Sequence, residues 1–244
     1  MSDQLAIDLY KSISAANEPR VFKNWHASSI AECPRSHFYK RLGIAPVSIP
    51  TAAKMLRWQA GHLIEEVIRP HLLKLYPDLV SNQRLTSKNL DLTGEYDNYS
   101  KAEATIFEVK SVHNNAPRYL EKEGAYLSHE YQNHSYVLLL EENKLPVKNI
   151  VYLYITLDGR ILTFRTEVQG QLLLNVKKRL EVLKMALGGQ LPACICKDTH
   201  PLWKSTMQYC DYRSGDVCCS EELFKKYEEE ENANQRDSGA GVEG

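Results

Sequence analysis

The chain has 244 residues, is 43% hydrophobic, and sets 30 Lys and Arg against 31 Asp and Glu for a formal charge of −1. That suffices for one filled core with appendages, and no apolar run is long enough to span a bilayer. Met1-Ser2-Asp3-Gln4 offers no basic region before an apolar stretch, so no signal peptide is expected and the expected location is the cytoplasm, bacterial or that of a phage's host.

Near-neutral charge argues at first against nucleic acid as a partner, but the charge is unevenly placed. The segment from Glu221 to Gly244 holds eight acidic and three basic groups, leaving 27 basic against 23 acidic groups in the other 220 residues. A net +4 confined to a channel is enough to hold a phosphate backbone. The tail itself is rich in Glu, Asn, Ser and Gly, and disorder is expected over much of 221–244.

In chain order, Ser29 and Glu32 have capping-box spacing, which predicts a helix start with Cys33 in its first turn. Arg35, Lys40 and Arg41 follow on that helix as candidates for the positive channel. Met55, Leu63, Val67 and Leu72, with Ile64, Ile68 and Leu75, recur at helical spacing and predict an amphipathic helix from about Thr51 to Tyr76, stopped by Pro77. His62 and Glu66, four apart, share one of its faces.

Strands are predicted near 84–97 and 104–112. The first ends on Gly94-Glu95-Tyr96-Asp97, and the second reads Thr105-Ile106-Phe107-Glu108-Val109-Lys110-Ser111-Val112. Side chains alternate across a strand, so Glu108 and Lys110 share one face while Phe107 and Val109 take the other. Burying two charged groups unpaired is costly, so they are expected to line a cleft and meet a metal or an anion. Helices near 116–142 follow, with Gln132 and Tyr136 on one face at i, i+4. A hairpin of Ile150–Ile155 and Arg160–Phe164 turns at Asp158-Gly159, and a last helix from about Gln169 to Leu187 is stopped by Gly188-Gly189.

An Asp, then a Glu and a Lys two apart on an apolar strand, suit metal-assisted phosphodiester cleavage. A divalent ion lowers the pKa of bound water and offsets the charge that develops on phosphorus. Magnesium favours the hard oxygens of Asp97 and Glu108, whereas a histidine ligand also suits manganese.

The order of these motifs, a Gly61-His62 helix, a G-x-Y-D strand end, an E-V-K strand and a Q-x-x-x-Y helix, resembles the RecB-like branch of the PD-(D/E)XK nuclease superfamily. That branch includes the CRISPR-associated RecB-like exonucleases and the AddB nuclease domain. The similarity spans roughly Trp25 to Cys219. It implies an α/β fold with a restriction-endonuclease-like core, a mixed central sheet flanked by helices. It also implies metal ligation by His62, Asp97, Glu108 and the Val109 backbone carbonyl, with Lys110 as the catalytic lysine. Gln132 and Tyr136 are then expected to support the site and the DNA strand, with Glu66 and Arg35 in the same supporting group.

The six cysteines form a second pattern, Cys33 alone near the start and Cys194, Cys196, Cys210, Cys218 and Cys219 crowded towards the end. In a cytosolic chain such clustering points to metal before disulfide. The resemblance implies a 4Fe–4S cluster that joins the chain ends through Cys33, Cys196, Cys210 and Cys218. Cys194 and Cys219 are alternatives to their neighbours, and structural zinc is the alternative metal. The family's tight C-x-x-C pair would put a cysteine at position 207, where this chain has Met207.

One nuclease domain over 1–220 is therefore expected, with a core at 51–187, cysteine-bearing flanks at 25–50 and 188–220, and the acidic tail beyond. The expected activity is Mg2+- or Mn2+-dependent DNA exonuclease action on single-stranded ends, in recombination, repair or phage DNA metabolism. The rivals are a sequence- or structure-specific endonuclease of the same superfamily and a non-catalytic DNA-binding subunit. DNA is the expected partner and a membrane is not. Assembly as a homo-oligomer or with partner recombination proteins stays open.

Overall fold

The computed structural model describes residues 2–15, 23–44 and 51–195, with Leu202, Cys210 and Tyr212. Helix α1 (Ser2–Ala15), absent from the sequence expectations, packs against the long α3 (Ala52–Leu75). Between them come a short strand, β1 (Trp25–His26), a 3-10 turn at Ala27–Ser29, and α2 (Pro34–Arg41). The expected capping box does not form. Ser29 belongs to the 3-10 turn and α2 opens on Pro34, so Cys33 is the N-cap rather than a first-turn residue. Proline suits that first position because its fixed φ is helical and its missing N–H had no helical carbonyl to meet.

Helix α3 starts where Thr51 caps it, its hydroxyl accepting the Lys54 amide at 3.3 Å, and ends just ahead of Pro77. Its apolar arc is wider than the sheet beneath it. Ile64, Ile68 and Leu72 pack on Phe107, Val109, Val151, Leu153 and Ile155, while Leu63, Val67 and Leu75 stay in solvent.

The region expected as one strand near 84–97 is a hairpin of β2 (Leu79–Ser87) and β3 (Leu92–Ser100). Its turn lacks the usual Gly signal. Instead the Ser87 hydroxyl accepts the Leu90 amide at 2.9 Å, and Asp91 takes φ 53°. Next comes β4 (Thr105–Val112), then α4 (Ala116–Glu123) and α5 (Leu127–Glu142), broken apart at Gly124. The expected second hairpin is β5 (Asn149–Thr156) with β6 (Ile161–Glu167), and α6 (Gly170–Leu187) closes the core.

The six strands form one mixed sheet. β4 and β5 run parallel, with α4 and α5 as the crossover, and β5–β6, β3–β4 and β2–β3 are antiparallel. β2 pairs with β3 from end to end except at Asn82, which takes φ 52° opposite Asp97. The opposite edge of β3 is shared, β4 taking Asn98–Ser100 and β1 taking Leu92 and Thr93. One sheet face is covered by α3. The other carries the main core, where Ile106, Tyr152 and Tyr154 meet Tyr136, Val137, Leu140 and the α6 residues Val176, Leu180 and Leu183. Among the described residues no helix is long and apolar enough to cross a membrane. The acidic tail, and with it the expectation of disorder, lies outside the described residues.

Candidate active site

The site lies where β3 and β4 part. Their ladder runs Ser100–Thr105, Tyr99–Ile106, Asn98–Phe107 and stops. One more rung would set Asp97 opposite Glu108. Instead the Val109 amide donates to Asp97 Oδ2 at 2.9 Å, so a side-chain carboxylate takes the role of a backbone carbonyl. A backbone donor left empty inside a protein is costly, and this bond holds the strands apart without that cost. β3 does not fray, because β2 pairs with it on both sides of Asp97.

Further along the same edge, Gly94 lets the α5 aromatic ring approach. A Cβ at position 94 would stand 2.7 Å from Ala27 Cβ and 2.8 Å from Tyr136 Cε1. Tyr136 is buried there, and its hydroxyl accepts from Gln132 Nε2 at 2.8 Å. Burial, then the charge of Glu108, pushes the Tyr136 phenol well above its ordinary range, so it stays neutral. The Q-x-x-x-Y pair thus forms the inner wall.

Glu108 has no exposed surface. Its Oε1 meets the Lys110 ammonium at 2.5 Å, while Oε2 has no hydrogen-bond partner among the described residues. Burial, with Asp97 adding and Lys110 pulling back, lifts the Glu108 carboxyl to about 7. For Lys110 burial works against the charged form, but Glu108 and Asp97 outweigh it and hold the ammonium protonated above the usual lysine range. An orphaned carboxylate oxygen beside a second carboxylate suits a hard divalent cation. Even so, among the described residues no three His, Cys, Asp or Glu side chains form a ready-made cation cage.

Helix α3 supplies the opposite wall. Gly61 comes close to β4, where an added Cβ would stand 3.2 Å from Ser111 Oγ. One turn on, Glu65 is half-buried, and burial followed by the Asp97 charge raises its carboxyl. His62 is largely exposed, with Nδ1 at 3.6 Å from Glu65 Oε2. The structure therefore brings Glu65 to the site, and Glu66 points to solvent. Glu65 was not among the sequence candidates, because i+4 from His62 leads to Glu66. The i+4 step from Gly61, the residue in contact with the sheet, leads to Glu65. A cleft of about 200 Å³ opens here, lined by Arg57, Trp58, Gly61, His62, Glu65, Lys110 and Ser111.

The basic residues of α2 serve the fold. Arg35 Nε donates to the Pro192 carbonyl at 2.9 Å, Lys40 pairs with Glu32 at 2.7 Å, and Arg41 pairs with Asp91 at 2.6 Å while lying over the Trp25 ring. None of the three lines the cleft. Buried Arg179 of α6 ties the same region down, donating to the carbonyls of Ile30 and Glu32.

The chain ends do meet. Cys33 Sγ lies 3.7 Å from Cys194 Sγ, Cys33 and Cys210 are buried, and the Tyr212 hydroxyl donates to the Ile44 carbonyl at 2.8 Å. Cys196, Cys218 and Cys219 lie outside the described residues.

No protein-family profile matches the chain, and no curated protein matches it. Solved structures do. The alkaline exonuclease LHK-Exo from Laribacter hongkongensis aligns with a TM-score of 0.52 at 12% identity, covering 74% of this chain and 94% of that one. The two share a fold. LHK-Exo in complex with dAMP gives 0.53 at 12% identity over 69% of this chain and 90% of that one. The protein SSO0001 gives 0.51 at 14% identity over 88% and 96%.

Proposed function

We propose that this protein is a divalent-metal-dependent DNA exonuclease that hydrolyses phosphodiester bonds and prefers single-stranded ends, acting in recombination, repair or phage DNA metabolism. One observation carries the reading. Asp97, Glu108, Lys110 and Glu65 converge electrostatically at the gap between β3 and β4, with one buried Glu108 oxygen unpartnered. A purely structural ion pair does not need two further carboxylates beside it. The fold shared with an alkaline exonuclease, known also in complex with dAMP, supports the substrate class.

In this reading Asp97, Glu108 and the Val109 carbonyl hold the ion, His62 joins from α3, and Glu65 adds a carboxylate to the same cleft. When bound, magnesium or manganese supplies a Lewis acid for the attacking water and the phosphate. Lys110 lines the cleft, where it holds or deprotonates the attacking water or offsets charge on a phosphate oxygen. Tyr136, braced by Gln132 and seated on Gly94, keeps water from the inner side of Glu108.

Cys33 and Cys194 begin a metal staple between distant parts of the chain, which other thiols of the C-terminal segment complete, since among the described residues no third ligand joins the pair. Two thiolates on one tetrahedral zinc stand about 3.8 Å apart, given zinc–sulfur distances of about 2.3 Å. The 3.7 Å between Cys33 and Cys194 favours zinc, since the thiolates of a 4Fe–4S cluster each take a separate iron.

Incubation with magnesium or manganese and end-labelled linear or closed circular single strands tests the activity. Release of mononucleotides from linear strands only is expected. Cutting of circles would assign an endonuclease, and binding without cleavage a non-catalytic subunit.

A further inference from the structure

Lys54, Trp58, Gly61 and Glu65 succeed one another at steps of four, three and four residues along α3, so they form one stripe that ends at the carboxylates. Trp58 and Arg57 line the cleft beside Lys110 and His62. Half of the Trp58 surface is exposed, although the indole is the largest apolar group on the helix and the sheet lies one turn away. The Lys54 ammonium stands 5.2 Å from the ring centroid, which steadies the indole and sets a positive charge beside it. Arg57 Nε donates to the Ala53 carbonyl at 3.2 Å, which orients its guanidinium on the helix surface. An exposed indole with Lys54 over its ring and Arg57 beside it in sequence, at a cleft that also takes in Glu65 and Lys110, has the composition of a single-strand track.

We propose that Trp58 stacks on an unpaired base of the substrate while Arg57 and Lys54 carry the adjoining phosphates, so that this stripe selects single-stranded ends. The proposal rests on the nuclease reading and gives it a recognition element. Seven residues separate Trp58 from Glu65, about 10 Å along a helix. The stacked base therefore belongs to a nucleotide next to the scissile phosphate, not at it. Inside a duplex both faces of each base are already stacked on neighbours, whereas an unpaired base offers a free face to the indole.

The test is equilibrium binding of a short oligothymidylate in calcium, which holds the metal site without turnover, with abasic positions scanned from the end. Trp58→Ala should weaken binding about tenfold, with Trp58→Phe recovering most of it, because aromatic stacking is tolerant of the ring used. In the wild type one abasic position near the end should cost a similar factor, and in Trp58→Ala that position should no longer matter. Closed circular duplex, which has no free base face, should bind both proteins alike. Arg57→Ala should weaken binding and lower the slope of log affinity against log salt by about one.

A Trp58→Ala protein that binds the intact strand within about twofold of wild type overturns the proposal, as does an abasic penalty that persists undiminished in that variant. The outcome is separable from the nuclease reading. A wild type that shows the abasic effect yet never cleaves with magnesium or manganese keeps the track and removes the activity. Cleavage with indifference to Trp58 does the reverse, and no binding of any strand removes both.

Discussion

The Asp97 carboxylate accepts the Val109 amide at 2.9 Å, in the place where the next backbone rung between β3 and β4 would have been. That single bond sets the gap into which Glu108 and Lys110 face. Asp97→Ala is therefore expected to do more than remove a metal ligand. It leaves the Val109 donor unpaired, at a cost of about 1–3 kcal/mol, whereas Asp97→Asn can still accept it. Urea denaturation should show Asp97→Ala less stable than Asp97→Asn, with both inactive. Equal stability would mean that the bond does not hold the gap.

Gly94 is fixed by close approach rather than by backbone freedom. Gly94→Ala forces a methyl against Ala27 and the Tyr136 ring, and overpacking of this kind costs about 1–3 kcal/mol. A lower denaturation midpoint and reduced cleavage are expected together, since Tyr136 must move off the site. Wild-type stability in Gly94→Ala would show that the Ala27–Ser29 turn and α5 give way freely.

Glu65 and Glu66 separate the structure from the simplest reading of the helix. Glu65→Gln should cut the cleavage rate more than tenfold, a barrier rise above about 1.4 kcal/mol, and Glu66→Gln should leave it nearly unchanged. The reverse ranking, read from initial rates, would place the other face of α3 in the site.

Acid should destabilise the protein through His37. Burial, with Lys40 nearby, lowers its pKa to about 3, and its Nε2 accepts the His26 amide at 3.1 Å. The folded value lies below the unfolded value of about 6.5, so between them the unfolded chain binds a proton that the folded chain does not. Stability from this group is complete above pH 6.5 and falls as pH drops towards 3. At pH 5 the loss is about 2 kcal/mol. His37→Gln keeps an acceptor without a titration, so its urea midpoint should fall less than that of wild type between pH 7 and pH 5. Parallel losses in the two proteins would assign the acid sensitivity to other groups.

The staple is open to direct assay. Purified protein should hold one metal site per chain, and Cys33→Ser should lose the metal and lower the melting temperature, because the staple joins distant parts of the chain. Zinc in colourless protein is expected from the 3.7 Å thiol separation. Brown protein absorbing near about 400 nm with iron bound would restore the cluster. Metal-free, stable protein would remove the staple altogether.

Much of this was legible before any coordinates. Alternation placed Glu108 and Lys110 on one face, helical spacing marked α3 within a residue or so at each end, and the Asp158-Gly159 turn located the β5–β6 hairpin. What spacing does not carry was missed for physical reasons. The β2–β3 turn is built from a serine hydroxyl and a left-handed Asp91, without the Gly that marks such turns. A sequence shows the cations of α2 but not their partners, Glu32, Asp91 and the Pro192 carbonyl. Glu65 was hidden by helical geometry, in which i+3 and i+4 share a face and only the contact at Gly61 decides between them. The reason for Gly94 appears only once Tyr136 is seen against it.

The most direct test of the site is the single-turnover rate of nucleotide release from an end-labelled single strand by wild type and Lys110→Ala. Strand affinity is measured alongside, in calcium. The lysine acts on the attacking water or on the phosphate in the transition state, so the rate is expected to fall more than a hundredfold, about 2.7 kcal/mol or more, with affinity nearly unchanged. A Lys110→Ala protein that keeps more than about a tenth of the wild-type rate, a loss under about 1.4 kcal/mol, would contradict the role given to Lys110 and the site built around it.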